Sequence, residues 1–92
     1  RTLYGAEAKY LVALQWYNAG NYASAEKEIL NFIDQSTPHA YWLARSFILL
    51  SDVYVAMDKK LDARQYLLSL QQNYQADDDI ASMINERLEK LK

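Results

Sequence analysis

Apolar residues recur along this chain at spacings of three and four and are interrupted by short polar stretches, a pattern that predicts helices joined by tight turns. From Leu3 to about Asn18, Leu3, Ala6, Tyr10, Ala13, Trp16 and Tyr17 follow helical spacing, and Leu11, Val12 and Leu14 widen the apolar face beyond one stripe. Such a helix needs cover on more than one side. The run Asn18, Ala19, Gly20, Asn21 predicts its end, since Gly20 accepts the left-handed conformation that closes a helix and Asn21 suits the cap of the next. From Tyr22 to about Gln35, Ala25, Ile29, Phe32 and Ile33 share one face, while Glu26, Lys27, Glu28, Asn31 and Asp34 lie on or near the other. This predicts a surface helix packed antiparallel to the first.

The stretch Thr37 to Met57 is different, because it carries only two charges, Arg45 and Asp52. It reads as a central helix covered on nearly all sides, with Thr37 as cap and Pro38 at the first helical position. Asp58 to Lys60 form a polar turn in which Asp58 is the candidate cap. A fourth helix is predicted from about Leu61 to Tyr74, on Ala63, Tyr66, Leu67 and Leu70. Asp77, Asp78 and Asp79 then precede a last helix whose inward residues are Ile80, Met83 or Ile84, Leu88 and Leu91, with Asn85, Glu86, Glu89 and Lys90 toward water.

Composition agrees with one small all-α domain: 92 residues with two Gly, one Pro and 51% hydrophobic residues leave few breakers for a many-stranded fold. Ten basic against twelve acidic residues, with no Lys or Arg cluster, argue against nucleic acid as a partner. The absence of Cys removes disulfides, thiolate zinc sites and a Cys nucleophile. The most apolar window, Tyr41 to Met57, is too short and too charged to insert in a membrane. The chain opens on Arg1 rather than Met, and is expected to be a processed or excised piece of a longer one. Oligomeric state is not legible.

One internal register stands out. Lys9, Val12, Ala13, Trp16, Ala25, Ile29 and Phe32 fall on Phe47, Leu50, Ser51, Tyr54, Ala63, Leu67 and Leu70, each pair 38 residues apart. Small residues at Ala13 with Ala25, and at Ser51 with Ala63, allow the two helices of each hairpin to approach closely, and Trp16 or Tyr54 is expected to fill the wedge where they splay. The units read K-x2-VA-x2-W with G-NY-x2-A-x3-I, closing at Pro38, and F-x2-LS-x2-Y with A-x3-L. This resembles the tetratricopeptide repeat (TPR), although the period exceeds the usual ~34 residues. The run STPHAYWLARSFILLSDVY is similar to C-terminal repeats of bacterial cell-envelope members.

The resemblance implies an all-α, right-handed TPR superhelix of about five helices: unit one at about 6–37, unit two at about 38–76 and a C-terminal capping helix at about 77–92. It implies a protein–protein interaction or scaffold module that binds a peptide or protein segment in a concave groove, and it favours a periplasmic or cell-envelope location over a cytoplasmic one. Groove candidates carried over are Glu7, Tyr10, Leu14, Tyr17 and Asn18 with Arg45, Ile48, Asp52, Val55 and Ala56. The alternative is a structural C-terminal cap of a longer solenoid, with these residues packed on neighbouring repeats of the same chain. The basic clamp by which some members hold a C-terminal carboxylate is missing, since Tyr10 and Leu14 stand in its places.

Chemistry is sparse. His39 has no second imidazole or Cys to complete a metal shell, and the Asp77–Asp79 run is better explained by helix capping and the helix dipole than by a cation site. A triad assembled from Ser36 or Ser46, His39 and Asp34 or Asp52 lacks a nucleophile turn and an oxyanion nest. No enzymatic activity, metal or cofactor is expected.

Overall fold

Five helices follow one another: α1 (Leu3–Asn18), α2 (Tyr22–Asp34), α3 (Ala40–Ala56), α4 (Lys60–Asn73) and α5 (Ile80–Lys90). The structure, a computed structural model, describes residues 3–34 and 39–92, and among these there is no strand. The Thr37–Pro38 helix start and the last residue expected for the second helix, Gln35, lie outside the described residues.

The two turns that close α1 and α3 have the same construction. Gly20 takes φ +80°, and the Asn21 N–H donates to the Trp16 carbonyl at 2.9 Å while the Gly20 N–H donates to that of Tyr17 at 3.0 Å. Asp58 takes φ +62°, with the Lys59 N–H on the Tyr54 carbonyl at 2.7 Å and the Asp58 N–H on that of Val55 at 3.1 Å. Both are six-to-one and five-to-two closures, which satisfy the orphan carbonyls of a helix end. Each atom of the second stands 38 residues after its counterpart in the first, so the repeat seen in the side chains is also a repeat of backbone hydrogen bonds. Asp58 was expected to cap α4 and does not. It closes α3 instead, because a turn this short needs a left-handed residue there, which Asp tolerates better than most. Lys59 occupies the N-cap position of α4 without a side-chain hydrogen bond. Asn21 behaves as expected at the start of α2, its Oδ1 accepting from the Ser24 N–H at 3.4 Å.

Each hairpin closes on its small residues. Ala13, Ala25, Ser51 and Ala63 are all essentially buried, which lets backbone approach backbone. Ser51 needs a hydrogen bond in such a place. Its hydroxyl donates to the Ile48 carbonyl at 2.7 Å, and that of Ser46 to the Trp42 carbonyl at 2.9 Å. Helix α3 packs on all four other helices, and its low charge follows from that position. Toward unit one, Leu49, Leu50, Val53 and Tyr54 share a cluster with Tyr10, Ala13, Ala25 and Ile29. Toward the C-terminus, Ala44 and Ile48 join Leu67, Leu70, Ile80 and Ile84.

The wedge expectation holds at one position and fails at the other. Tyr54 is 7% exposed, whereas Trp16 is 39% exposed. The difference is one of neighbours: Tyr54 lies between unit one and α4, its ring 5.6 Å from that of Tyr66 and its hydroxyl donating to Glu26 at 2.7 Å, while Trp16 faces outward from the first helix of the stack. The aromatic that fills unit one is Tyr10, 7% exposed and 5.5 Å from the Trp42 ring. Tyr54→Ala is therefore expected to cost on the order of 3 kcal/mol, and Trp16→Ala less than about 1 kcal/mol, as measured by urea unfolding. Equal costs would mean that the two units are packed alike.

Candidate functional site

The residues assigned to a groove by resemblance divide into three groups. Tyr17, Asp52 and Val55 come together on one side of the molecule, around a space lined by α1, α3, α4 and α5. Tyr10 and Arg45 meet in a separate polar and aromatic cluster. The remainder do not converge: Ile48 is 1% exposed and lies under Ile80 and Ile84 of α5, Leu14 packs half-buried against the core, Glu7 is half-buried, and Asn18 and Ala56 are exposed at their helix ends. Helix α5 covers the part of α3 on which Ile48 was expected to face a ligand.

The first group lines a cavity of about 410 Å³, together with Ser51, Lys60, Leu67, Glu86, Arg87, Lys90 and Leu91. Its framework is a fork between two charged side chains. Arg87 Nε donates to Asp52 Oδ1 at 2.9 Å and Arg87 Nη2 to Asp52 Oδ2 at 3.1 Å, with each side chain about one-quarter exposed. This bidentate geometry is the strong form of a carboxylate–guanidinium contact. It also explains how Asp52 can sit on so apolar a helix, because a part-buried carboxylate needs a charged partner. Arg87 Nη1 further donates to the Met83 carbonyl at 3.3 Å and lies 3.6 Å from Glu86. Tyr17, the exposed Val55, Lys60 and Lys90 line the same cavity. Burial, and then the Asp52 carboxylate, push the Tyr17 phenol above its ordinary value.

The second group ties α1, α3 and the approach to α5 together. The Arg45 guanidinium lies 5.1 Å from the Tyr10 ring centroid and 5.9 Å from those of Tyr41 and Trp42. It donates to the Tyr41 hydroxyl at 3.0 Å and to that of Tyr10 at 3.2 Å, and the Tyr41 hydroxyl donates to Asp79 Oδ1 at 2.9 Å. Burial disfavours the charged form, but the two phenol hydrogen bonds outweigh it and leave the Arg45 pKa raised. With both Nη groups donating to phenols and its plane against three rings, Arg45 joins helices together, while its Nε is buried without a hydrogen-bond partner among the described residues. Asp78 works nearby, accepting from the Ile80 N–H at 3.0 Å and from the Tyr74 hydroxyl at 2.5 Å. The acidic run thus does more than cap a helix: Asp79 reaches across to α3.

Lys60, Glu86, Arg87, Lys90 and Leu91 were not expected to line a cavity, although Glu86 and Lys90 are exposed as their spacing indicated. One signal was available. A lone Asp52 on an apolar helix calls for a cation, but the spacing of charges does not say which Lys or Arg reaches it. A second cavity of about 520 Å³ opens among Gln71, Tyr74, Ile80 and Ile84 at the α4–α5 junction, and none of the assigned residues lines it. His39 stands half-buried at the N-cap of α3. Among the described residues no group of three or more His, Cys, Asp or Glu could hold a metal ion, and no helix is long and apolar enough to cross a membrane.

Removing one arm of the fork should loosen α5. Arg87→Ala is expected to cost about 1–2 kcal/mol, between the values for exposed and buried pairs, with Arg87→Lys recovering only part because an ammonium cannot fork. Amide exchange in α5 should quicken before that in α3, and uniform exchange would contradict this role. A second expectation concerns alkali. The phenols of Tyr17, Tyr54 and Tyr74 are all raised above 10.0, chiefly by burial, that of Tyr74 to about 12 with help from Asp78. The unfolded chain ionises near 10.0, so their contribution is fully present below that pH and is lost as pH rises toward about 12. Urea midpoints should fall across this window and stay level just below it.

No protein-family model, curated protein or solved structure matches this chain.

Proposed function

We propose that this chain is a protein–protein interaction or scaffold module, a right-handed stack of two TPR-like hairpins closed by α5, that holds a short protein segment in the cavity between α1, α3 and α5. The observation that carries the reading is the convergence of Tyr17, Asp52 and Val55 on an open, mixed cavity of about 410 Å³, a size that suits one or two side chains of a bound segment. Asp52 and Arg87 occupy each other and Glu86 lies 3.6 Å from Arg87 as well, so the charges left to meet a ligand are chiefly Lys60 and Lys90. Val55, Tyr17 and Leu91 supply an apolar floor. These features select a segment with one apolar anchor and an acidic residue beside it, bound through a partly wet contact. The equivalent turns 38 residues apart and the buried small residues of each hairpin support the repeat on which the reading rests.

The test is selection of short peptides against the immobilised protein, followed by titration. Selected peptides should combine an aliphatic or aromatic residue with Asp or Glu, and Val55→Glu or Lys90→Glu should each weaken binding by about tenfold or more with the helical content unchanged. Failure to enrich any peptide, or undiminished binding to both variants, would sink the proposal.

A further inference from the structure

A second apolar face lies away from the cavity. On α1, Leu11, Val12 and Trp16 are 45%, 41% and 39% exposed, and they share the side of the helix that also bears Ala8 and Gln15, opposite the buried Ala6, Tyr10 and Ala13. Moving 38 residues along the chain takes Leu11, Val12 and Trp16 to Leu49, Leu50 and Tyr54, all of them buried. It takes Ala8 and Gln15 to Ser46 and Val53, buried as well. What covers the α3 face is a helical hairpin, since Leu49, Leu50, Val53 and Tyr54 share a cluster with Tyr10, Ala13, Ala25 and Ile29 of α1 and α2. The molecule thus contains the same face twice, once seated on a hairpin and once bare.

We propose that the bare face of α1 docks a partner helical hairpin built like α1 and α2, in the way that α3 docks on those two helices. Its chemistry is specified by the seated copy. The partner carries a small residue on each helix, where Ala13 and Ala25 stand, so that Leu11 and Val12 enter as Leu49 and Leu50 do. It carries a hydrogen-bond acceptor in the place of Glu26, which accepts from the Tyr54 hydroxyl at 2.7 Å; at the bare face the Trp16 indole N–H, a donor only, stands where the Tyr54 hydroxyl donates. Gln15 stands where Val53 is buried, so the partner offers a polar group opposite it. A second copy of this chain does not meet these requirements. Its α1–α2 face is taken by α3, and the equivalent face of unit two, Ile48, Ser51, Ala63 and Leu67, is buried, with Ile48 and Leu67 beneath α5.

Because the repeat is 38 residues long, a chain with residues 1–38 duplicated ahead of Arg1 presents such a hairpin in register. Its Tm is expected to exceed that of the original chain by at least about 4 °C, and the indole N–H of the downstream Trp16 should shift in NMR spectra and gain exchange protection. Trp16→Glu in the downstream copy should abolish the gain, while the same change in the original chain leaves Tm unaltered. No rise in Tm together with an unprotected downstream Trp16 would overturn the proposal. So would concentration-dependent dimerisation of the original chain that Trp16→Glu removes, since the occupant would then be a second copy. Neither result bears on the cavity, which the Val55 and Lys90 variants report separately.

Discussion

A helix that touches four others keeps little surface for water, and a mostly buried charge on it must be met from within the protein. That constraint on α3 organises the molecule. Its two charged residues are each answered by a different device: Arg45 by three ring faces and two phenol oxygens, Asp52 by the fork of Arg87. Both answers reach outside the helix. Arg45 draws in Tyr10 from α1 and, through Tyr41, Asp79 from the approach to α5, while Asp52 holds the middle of α5 itself. Two residues that would be liabilities in an apolar helix thereby fix the positions of the helices around it.

The first and last helices differ in the face they turn outward. At the C-terminal end, α5 lays Ile80 and Ile84 over Ile48 and Leu67 and turns its charged side outward, as a helix with one apolar stripe does. Helix α1 has no such division, for its outward side repeats the composition of the inward side of α3. The contrast between Trp16 and Tyr54 follows directly. They hold equivalent positions beside equivalent turns, and only the one with a hairpin before it is buried. Exposure here records what stands next to a residue as much as what the residue is.

The cavity beside the Asp52–Arg87 pair lies where α5 packs on α3 and α4 without packing on α1. Its walls come from the first, third, fourth and fifth helices, so its shape depends on the fork remaining closed. A ligand held there would contact α5 and unit one together, and would share the work of keeping α5 in place.

Local chemistry determined much of this. The helix periodicity, Gly20 at the first turn, the small residues 12 apart in each hairpin and the 38-residue register are all written in residue types and spacings, and they led to five helices with Ala13, Ala25, Ser51 and Ala63 at the buried crossings. Asp58 shows where local rules compete: Asp suits both a helix cap and a left-handed turn, and the short α3–α4 connection decided for the turn. What the sequence could not determine was the pairing of distant groups. Arg87 was one of several cations that could have met Asp52, Tyr10 and Trp16 were both aromatics on the first helix, and Ile48 was apolar whether it faced a groove or lay under α5. Spacing along a helix assigns residues to faces, but only the packing of one helix on another says which face is covered, and by what.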